Sequence, residues 1–458
     1  MKQKSVVTPL SLGTDRLATL LVRYAIPSII AMTSTSLYNI IDSIFIGHGV
    51  GAMAISGLAL TMPLMNLSSA FGAMVGIGAA AIISIRLGEG NRAAAEKTLG
   101  NVVLLNSIIG LVMMVISILF LDPILYFFGA SEQTLPYARD FMQIILAGSV
   151  ITHMFLGLNE VLRASGYPQK AMFFMLTSVA INCTLNPLFI FVFGWGIRGS
   201  ALATVIAQSV ALSLSLRHFS REDSFLHFKR GIFRLRRKIV SGILSIGTAP
   251  FLLHLCASVV VIFVNKALQL HGGDLYIGAY GVINRVVMLF IMVVSGLNQG
   301  MQPIVGYNYG AKQDLRVMKT LFMTIFCATC VTTAGFLIGE LFPRQVALLF
   351  VGEGDLDSTQ LIEAVCEGLR IVVVFFPIVG FQIVTSNFFQ YIGKPKRAIL
   401  LSMTRQMLFL VPLLILLPSH YGTLGVWWSM PIADCAATLL AALLLFQQIR
   451  WFRKAMAH

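Results

Sequence analysis

Charge is what this sequence lacks. Of its 458 residues only 11% are Asp, Glu, Lys or Arg, and 57% are hydrophobic, whereas soluble domains carry about 25% charged residues. A chain so poor in charge cannot cover a water-facing surface, which excludes an ordinary soluble protein. Acid is scarcer than base, with 19 Asp and Glu against 33 Lys and Arg and a net charge of +14. Catalytic signatures are absent too: no P-loop, H-E-x-x-H or G-x-S-x-G occurs, so no enzyme is expected. The six cysteines all fall in apolar segments. Cys327-Ala-Thr-Cys330 has no second pair and no nearby His, and reads as small core residues rather than a metal or redox motif. The polar first fifteen residues lack an apolar region followed by a small-residue cleavage site. They are expected to remain as a short cytoplasmic tail with a helix at the interface.

What is present is apolar length. Windows of about 20 apolar residues, enough to cross a hydrocarbon core of about 30 Å as helix, recur twelve times. Their centres lie near Ser34, Phe71, Leu111, Ala147, Ala180, Val205, Ala257, Met292, Cys327, Val379, Phe409 and Thr438. With the amino terminus inside, all basic residues except Arg139, Arg198, Lys266, Arg285, Arg344 and Arg370 fall on the cytoplasmic side. That is the positive-inside bias of an integral membrane protein. The opposite side has acidic loops, one with Glu353, Asp355 and Asp357. The basic run Arg234-Leu-Arg-Arg-Lys238 therefore serves topology, and no nucleic-acid partner is expected.

The chain is also made of two copies. Leu87-Gly-Glu-Gly-Asn-Arg aligns with Tyr309-Gly-Ala-Lys-Gln-Asp, 222 residues later, and Arg163-Ala-Ser-Gly-Tyr-Pro with Gln390-Tyr-Ile-Gly-Lys-Pro, 227 later. Gly196-x-x-Gly199 meets Gly422-x-x-Gly425, and Pro27 meets Pro250. Ordered matches at a nearly constant offset mean homologous halves. Six spans per half is an even number, so the repeats are parallel. The expected fold is an all-α polytopic protein of twelve transmembrane helices in two six-helix bundles, residues 1–220 and 239–458, joined by a basic cytoplasmic linker, 221–238. Such architectures commonly place a substrate cavity between the halves.

Taken in order, several segments resemble the multidrug and toxic compound extrusion (MATE) transporters over nearly the whole chain. They are Asp42-Ser-Ile-Phe-Ile-Gly47, Arg86-Leu-Gly-Glu-Gly90, Leu162-Arg-Ala-Ser-Gly166, Asn182-x-x-x-Asn186-Pro187, Gly196-Ile-Arg-Gly-Ser-Ala201 and Gln302-Pro-Ile-Val-Gly-Tyr-Asn-Tyr-Gly-Ala311. The resemblance implies a bacterial inner-membrane antiporter, both termini cytoplasmic, that expels amphipathic, mostly cationic compounds in exchange for H⁺ or Na⁺. It carries a coupling-cation set onto Asp42, Asn159, Asn182, Asn186 and Thr204. Where family members commonly have Asp-Pro, this chain has Asn186-Pro187, which leaves Asp42 the lone acid of the set. Apart from Na⁺ at Asp42, no metal and no cofactor is implied.

The repeat singles out the same residues. Adding the local offset turns Asp42 into Asn265, Asn159 into Ser386, Asn182 into Phe409, Asn186 into Leu413 and Thr204 into Met430. One half is polar where the other is mostly apolar, an asymmetry that packing alone would not demand. A charged Asp inside a span costs about 2.5–3.5 kcal/mol, so Asp42 should face a wet cavity and exchange its charge. Pro27 removes a backbone hydrogen bond from the same span and is the candidate hinge. Arg285 and Asp434, well inside their spans, join Tyr38 and Asn39 as substrate-cavity candidates. Glu160 and Arg163 read as interfacial, His153 and His254 as core histidines, and Gly72-x-x-x-Gly76 as close helix packing. The function expected is cation-coupled export of small amphipathic cations by alternating access, as a monomer in the bilayer. The alternatives are a lipid-linked saccharide flippase, which would want a more basic cavity, and a membrane-embedded enzyme.

Overall fold

The turns that mark the sequence repeat adopt the same backbone in both halves. Gly166 (φ 93°) and Gly393 (φ 69°) end their helices in the left-handed region. Each sits in a matched pair of closing bonds: Gly166 N to Arg163 O and Tyr167 N to Leu162 O, against Gly393 N to Gln390 O and Lys394 N to Phe389 O. Pro168 and Pro395 then open the next helices. Glycine supplies the positive φ that closes a helix, and proline, lacking an N–H, suits the first turn. The repeat thus survives in sequence where the backbone needs particular residues.

The computed structural model describes residues 11–350 and 356–456, apart from the side chains of Asn39, Ile40, Asp274 and a few others. Of the acidic loop, Glu353 and Asp355 fall outside the residues so described, and Asp357 lies at the start of the helix Leu356–Val373 with its side chain left out. Among described residues there is helix and no strand. In chain order the spans of the first half are Leu17–Ile46, Ser56–Gly88, Arg92–Leu119, the bent pair Leu135–Ala147 with Ser149–Ala164, Pro168–Val192 and Gly196–Ser220. The second half has Arg237–Gly273, Leu275–Gly310, Asp314–Leu341, the bent pair Thr359–Val373 with Phe376–Tyr391, and Pro395–Lys454. That last run of 60 residues would be about 90 Å long as one helix, three bilayer cores. Gly422 (φ 60°, ψ −135°) breaks it into the eleventh and twelfth spans. The fourth and tenth spans bend alike, by 55° and 54°.

The bundles are closed against each other at the basic end. Backbones meet there at glycines: a methyl at Gly300 would strike Ala25, at Gly296 Ile29, at Gly247 Met74, and at Gly88 Tyr307. This is how close helix approach in lipid is bought, through dispersion and small residues. Gly72 and Gly76 do the same within the first half, against His153 and Gly157 of the fourth span. From the basic end the contacts between bundles reach Ser36 Oγ to Met292 Sδ (3.2 Å) and the Phe71–Phe251 ring pair (centroids 4.9 Å).

Two polar straps reinforce that end. The short helix Ser11–Thr14 is not laid on the interface; Leu12 is fully buried, and its carbonyl accepts from Asn308 Nδ2 and Arg316 Nη2, both at 3.0 Å. Arg316 also takes the Asp15 carbonyl (2.7 Å). The basic linker is likewise tied down. Lys229 bonds buried Glu96 (2.8 Å), and Asn101 of the third span receives Arg236 N (3.0 Å) while donating to Arg234 O (3.2 Å). Toward the opposite end the excess base is neutralised locally, Arg139 by Asp122 and Arg198 by Asp140. Of the cysteines only Cys256 is buried and Cys330 is exposed, so the small-core reading holds in part.

At the turn matching Gly90, the second half has Lys312 with φ 57°. A left-handed conformation costs a residue bearing a Cβ about 1–2 kcal/mol. Lys312→Gly is therefore expected to stabilise the fold by about 0.5–1 kcal/mol after glycine's own entropy is counted. A raised melting temperature in detergent checks it, and a lowered one would contradict it.

Candidate functional site

Three helices of the first bundle each contribute a pair of polar residues four apart, which places the pair on one helix face. The first span gives Tyr38 and Asp42, the fifth Asn182 and Asn186, the sixth Ser200 and Thr204. The pairs assemble into two tiers about 6 Å apart along the axes. In one tier Asp42 Oδ1 accepts from Ser200 Oγ (2.7 Å) and from Asn186 Nδ2. In the other, Asn182 Nδ2 donates to Tyr38 Oη and to Thr204 Oγ1, each at 2.9 Å, and the two hydroxyls lie 3.0 Å apart. Asn186 precedes Pro187 and a widened π-helical turn, Leu188–Val192, a local geometry found often at functional sites.

The electrostatics of the tier around Asp42 are unusual. Asp42 is 8% exposed. None of the ion pairs among described residues includes it. Its hydrogen-bond donors are a neutral amide and a neutral hydroxyl. An ionised carboxylate taken out of water carries a penalty of several kcal/mol unless a positive charge accompanies it. The site is therefore short of one positive charge, which a proton or a monovalent cation would supply. The side-chain oxygens of Asn182 and Asn186 are buried without a partner, leaving acceptors beside the carboxylate. No group of three or more His, Cys, Asp or Glu among described residues forms a metal cluster.

Asn159, expected in this set, points its amide elsewhere. It is buried and donates to the Ala171 carbonyl (2.9 Å), tying the fourth span to the fifth. Ser200 takes a place beside Asp42 that sequence reasoning did not assign. Its signal was there: it lies in the quoted Gly196–Ala201 motif, one turn before Thr204. Pro27 sits inside an unbroken helix, Leu17–Gly49, between Ala25 and Ile29 of the glycine seam. Asn39's side chain lies outside the described residues.

In the second bundle Asp434 does not stand alone. Arg405 Nε bonds its Oδ1 at 2.8 Å, with side chains 22% and 14% exposed. The pair lines a cavity of about 150 Å³ with Tyr280, Asn284, Met288, Phe376 and Met430. Arg405 is thus an interior base of the second bundle. Arg285 is exposed, outside that cavity's lining. Glu160 and Arg163 are a buried ion pair rather than interfacial charges, with side chains 14% and 6% exposed. His153 Nε2 meets the Ser68 hydroxyl and carbonyl, both at 3.0 Å, while His254 is exposed.

Known proteins resemble the chain across its length. The family model described as MatE matches residues 27–188 and 250–416, one stretch in each half. The Multidrug export protein MepA of Staphylococcus haemolyticus (strain JCSC1435) is 27% identical over 433 residues, which are 93% of this chain and 92% of that one. Among solved structures, a MOP superfamily transporter from Pyrococcus furiosus Vc1 (DSM3638) superposes with a TM-score of 0.91 at 25% identity, covering 99% of this chain and 100% of that one. Its binding pocket is described as having reverse polarity. A MATE structure in the straight conformation gives a TM-score of 0.90 at 26% identity, over 97% and 99% of the two chains.

The Arg405–Asp434 pair makes a clean test of burial energetics. Arg405→Leu alone strands a buried carboxylate and is expected to destabilise by about 3 kcal/mol, whereas Arg405→Met with Asp434→Leu restores most of that loss. Thermal unfolding of both variants in detergent reads the difference. Equal losses in the two would show that the ion pair does not couple the residues.

Proposed function

The chain belongs to the MatE family of membrane transporters, and from that premise we propose that it exports small amphipathic organic cations in exchange for an inward H⁺ or Na⁺. The observation that carries this reading is Asp42: a buried carboxylate in a membrane span, held by neutral donors and short of one positive charge. Loading that charge changes the hydrogen bonding around it. Two donors converge on Oδ1; once the carboxylate is neutralised it is a weaker acceptor, so Asn186 and Ser200 are released to shift. Asp42 lies on the same helix as the seam residues Ala25 and Ile29, about 20 Å away at 1.5 Å per residue. Pro27 stands between those two, where its missing N–H makes the span easiest to bend. Movement of the first span would then loosen the glycine seam and let the two bundles, residues 1–220 and 239–458, rock about the linker.

We place the basic end and both termini in the cytoplasm, by the positive-inside rule. Closure at that end is the state in which cargo leaves to the outside and the coupling ion enters. The Met- and aromatic-lined cavity at Arg405–Asp434 suits polarizable contact with flat cations. At about 150 Å³ it is smaller than the usual 300–1,000 Å³ of ligand sites, so it serves as a subsite in this state. A saccharide pyrophosphate flippase would use free basic groups in such a cavity. Its Arg405 is already neutralised by Asp434, which favours export of cations.

Exchange of one monovalent ion for one monovalent drug cation moves no net charge. Voltage, worth about 2.3 kcal/mol per charge per 100 mV, then does no work and the ion gradient alone drives export. In everted vesicles, Asp42→Asn is expected to abolish gradient-driven uptake of a fluorescent cation, by tenfold or more, while binding of that cation persists. Collapsing the H⁺ and Na⁺ gradients separately names the ion. Undiminished ion-driven uptake by the variant would end the coupling role.

A further inference from the structure

Outside the coupling site, the first bundle has a second cavity at its basic end, of about 460 Å³, between the start of the fifth span at Pro168 and the end of the sixth at Ser220. Its lining is layered along the membrane normal. Phe173, Phe174 and Leu214 lie deepest in the spans, Lys170, Arg217 and His218 come next, and Arg221 and Asp223 lie beyond the helix end. Phe173, within the fifth span, is 60% exposed.

The charges do not cancel. Arg221 forks onto Asp223 with bonds of 3.1 and 2.9 Å, and its guanidinium holds that carboxyl below the usual carboxylate range. Lys170 and Arg217 have no ion pair among described residues. Lys170 Nζ instead lies 3.2 Å from His218 Nδ1 and 4.7 Å over the Tyr167 ring. An ammonium only donates, so Nδ1 accepts and the ring proton sits on Nε2. That Nε2 is buried and has no partner, on a residue 5% exposed. A buried donor without an acceptor loses about 1–3 kcal/mol, and the charges of Lys170 and Arg217, neither in an ion pair among described residues, line the same cavity.

The repeat gives a contrast. Lys170 corresponds to Arg397, which, together with Lys394, donates to Gln448 Oε1 at 3.0 and 2.7 Å. The basic side chain at that turn therefore meets a side-chain amide oxygen in the second half, whereas in the first it meets only the His218 ring nitrogen and the Tyr167 face.

From this arrangement we infer a binding site for an anionic phospholipid of the leaflet at the basic end. Its phosphate sits between Lys170 and Arg217, and its acyl chains descend along Phe173, Phe174 and Leu214. A free phosphate satisfies the cations equally, but the apolar layer beneath them, with Phe173 exposed on an apolar span, selects a headgroup that carries chains. Basic pockets between helices at this depth hold anionic headgroups.

Native mass spectrometry of the full-length protein, delipidated in detergent, tests the site with phosphatidylglycerol, phosphatidylcholine and inorganic phosphate as separate probes. Phosphatidylglycerol is expected to bind at least tenfold more tightly than phosphatidylcholine. Each basic residue near the surface contributes about fivefold, so Lys170→Gln with Arg217→Gln should lower phosphatidylglycerol affinity by about thirtyfold. The charge-keeping pair Lys170→Arg with Arg217→Lys should retain it to within about threefold. Unchanged affinity in the neutral pair, or equal binding of both lipids, would overturn the assignment. Displacement of phosphatidylglycerol by an equal concentration of inorganic phosphate would overturn it in favour of a free-phosphate site.

Discussion

A carboxylate without a countercharge governs the first bundle. Asp42 sits among donors that are all neutral, in a solvent that punishes isolated charge. The three pairs of residues four apart, on the first, fifth and sixth spans, concentrate polarity on one helix face each and leave the rest of those helices apolar. Breaking any tier would expose unsatisfied amides inside the bundle. In the function proposed above, the unpaired acid is the place where binding one small cation would change the packing of three helices.

The rest of the fold can turn that local change into a global one. The bundles adhere at the basic end through backbone-close contacts at glycines, through a shared apolar core in which Tyr24 and Ile83 of the first half join Met301 and Tyr307 of the second, and through a few straps, of which Arg316 on the carbonyls of Leu12 and Asp15 is the most directional. The first span belongs to both the polar tiers and the seam, and Pro27 lies in the stretch joining them. Duplication supplies two bundles of similar build, and only the first carries the polar tiers around Asp42.

Much of this was legible in the sequence because it is written in residue types that have few substitutes. Gly166 and Gly393, Pro168 and Pro395 announce the repeat since a left-handed helix end and an N-terminal turn require them. All twelve window centres fall inside their spans, because hydrophobic length is dictated by bilayer thickness. What failed to show was side-chain direction. Asn159 shares the composition of the site but turns to the Ala171 carbonyl, and Ser200, an unremarkable hydroxyl in a Gly-rich motif, takes its place beside Asp42. Asp434 looked like an isolated acid, because its pairing with Arg405, 29 residues away on another span, leaves no local pattern. The burial of Glu160 and Arg163 was missed for the same reason: three residues apart at a helix end, they look like any solvated pair until the second span's Gly76 closes over them.

The most direct measurement is ion release on drug binding, followed with H⁺ and Na⁺ electrodes while a fluorescent organic cation is titrated into the purified protein. Linkage requires that a cation held at Asp42 and a drug favouring the opposite state displace each other. The account predicts that the wild-type protein releases a single monovalent ion per drug bound and that Asp42→Asn binds drug with no release. Equal release from both proteins would contradict it.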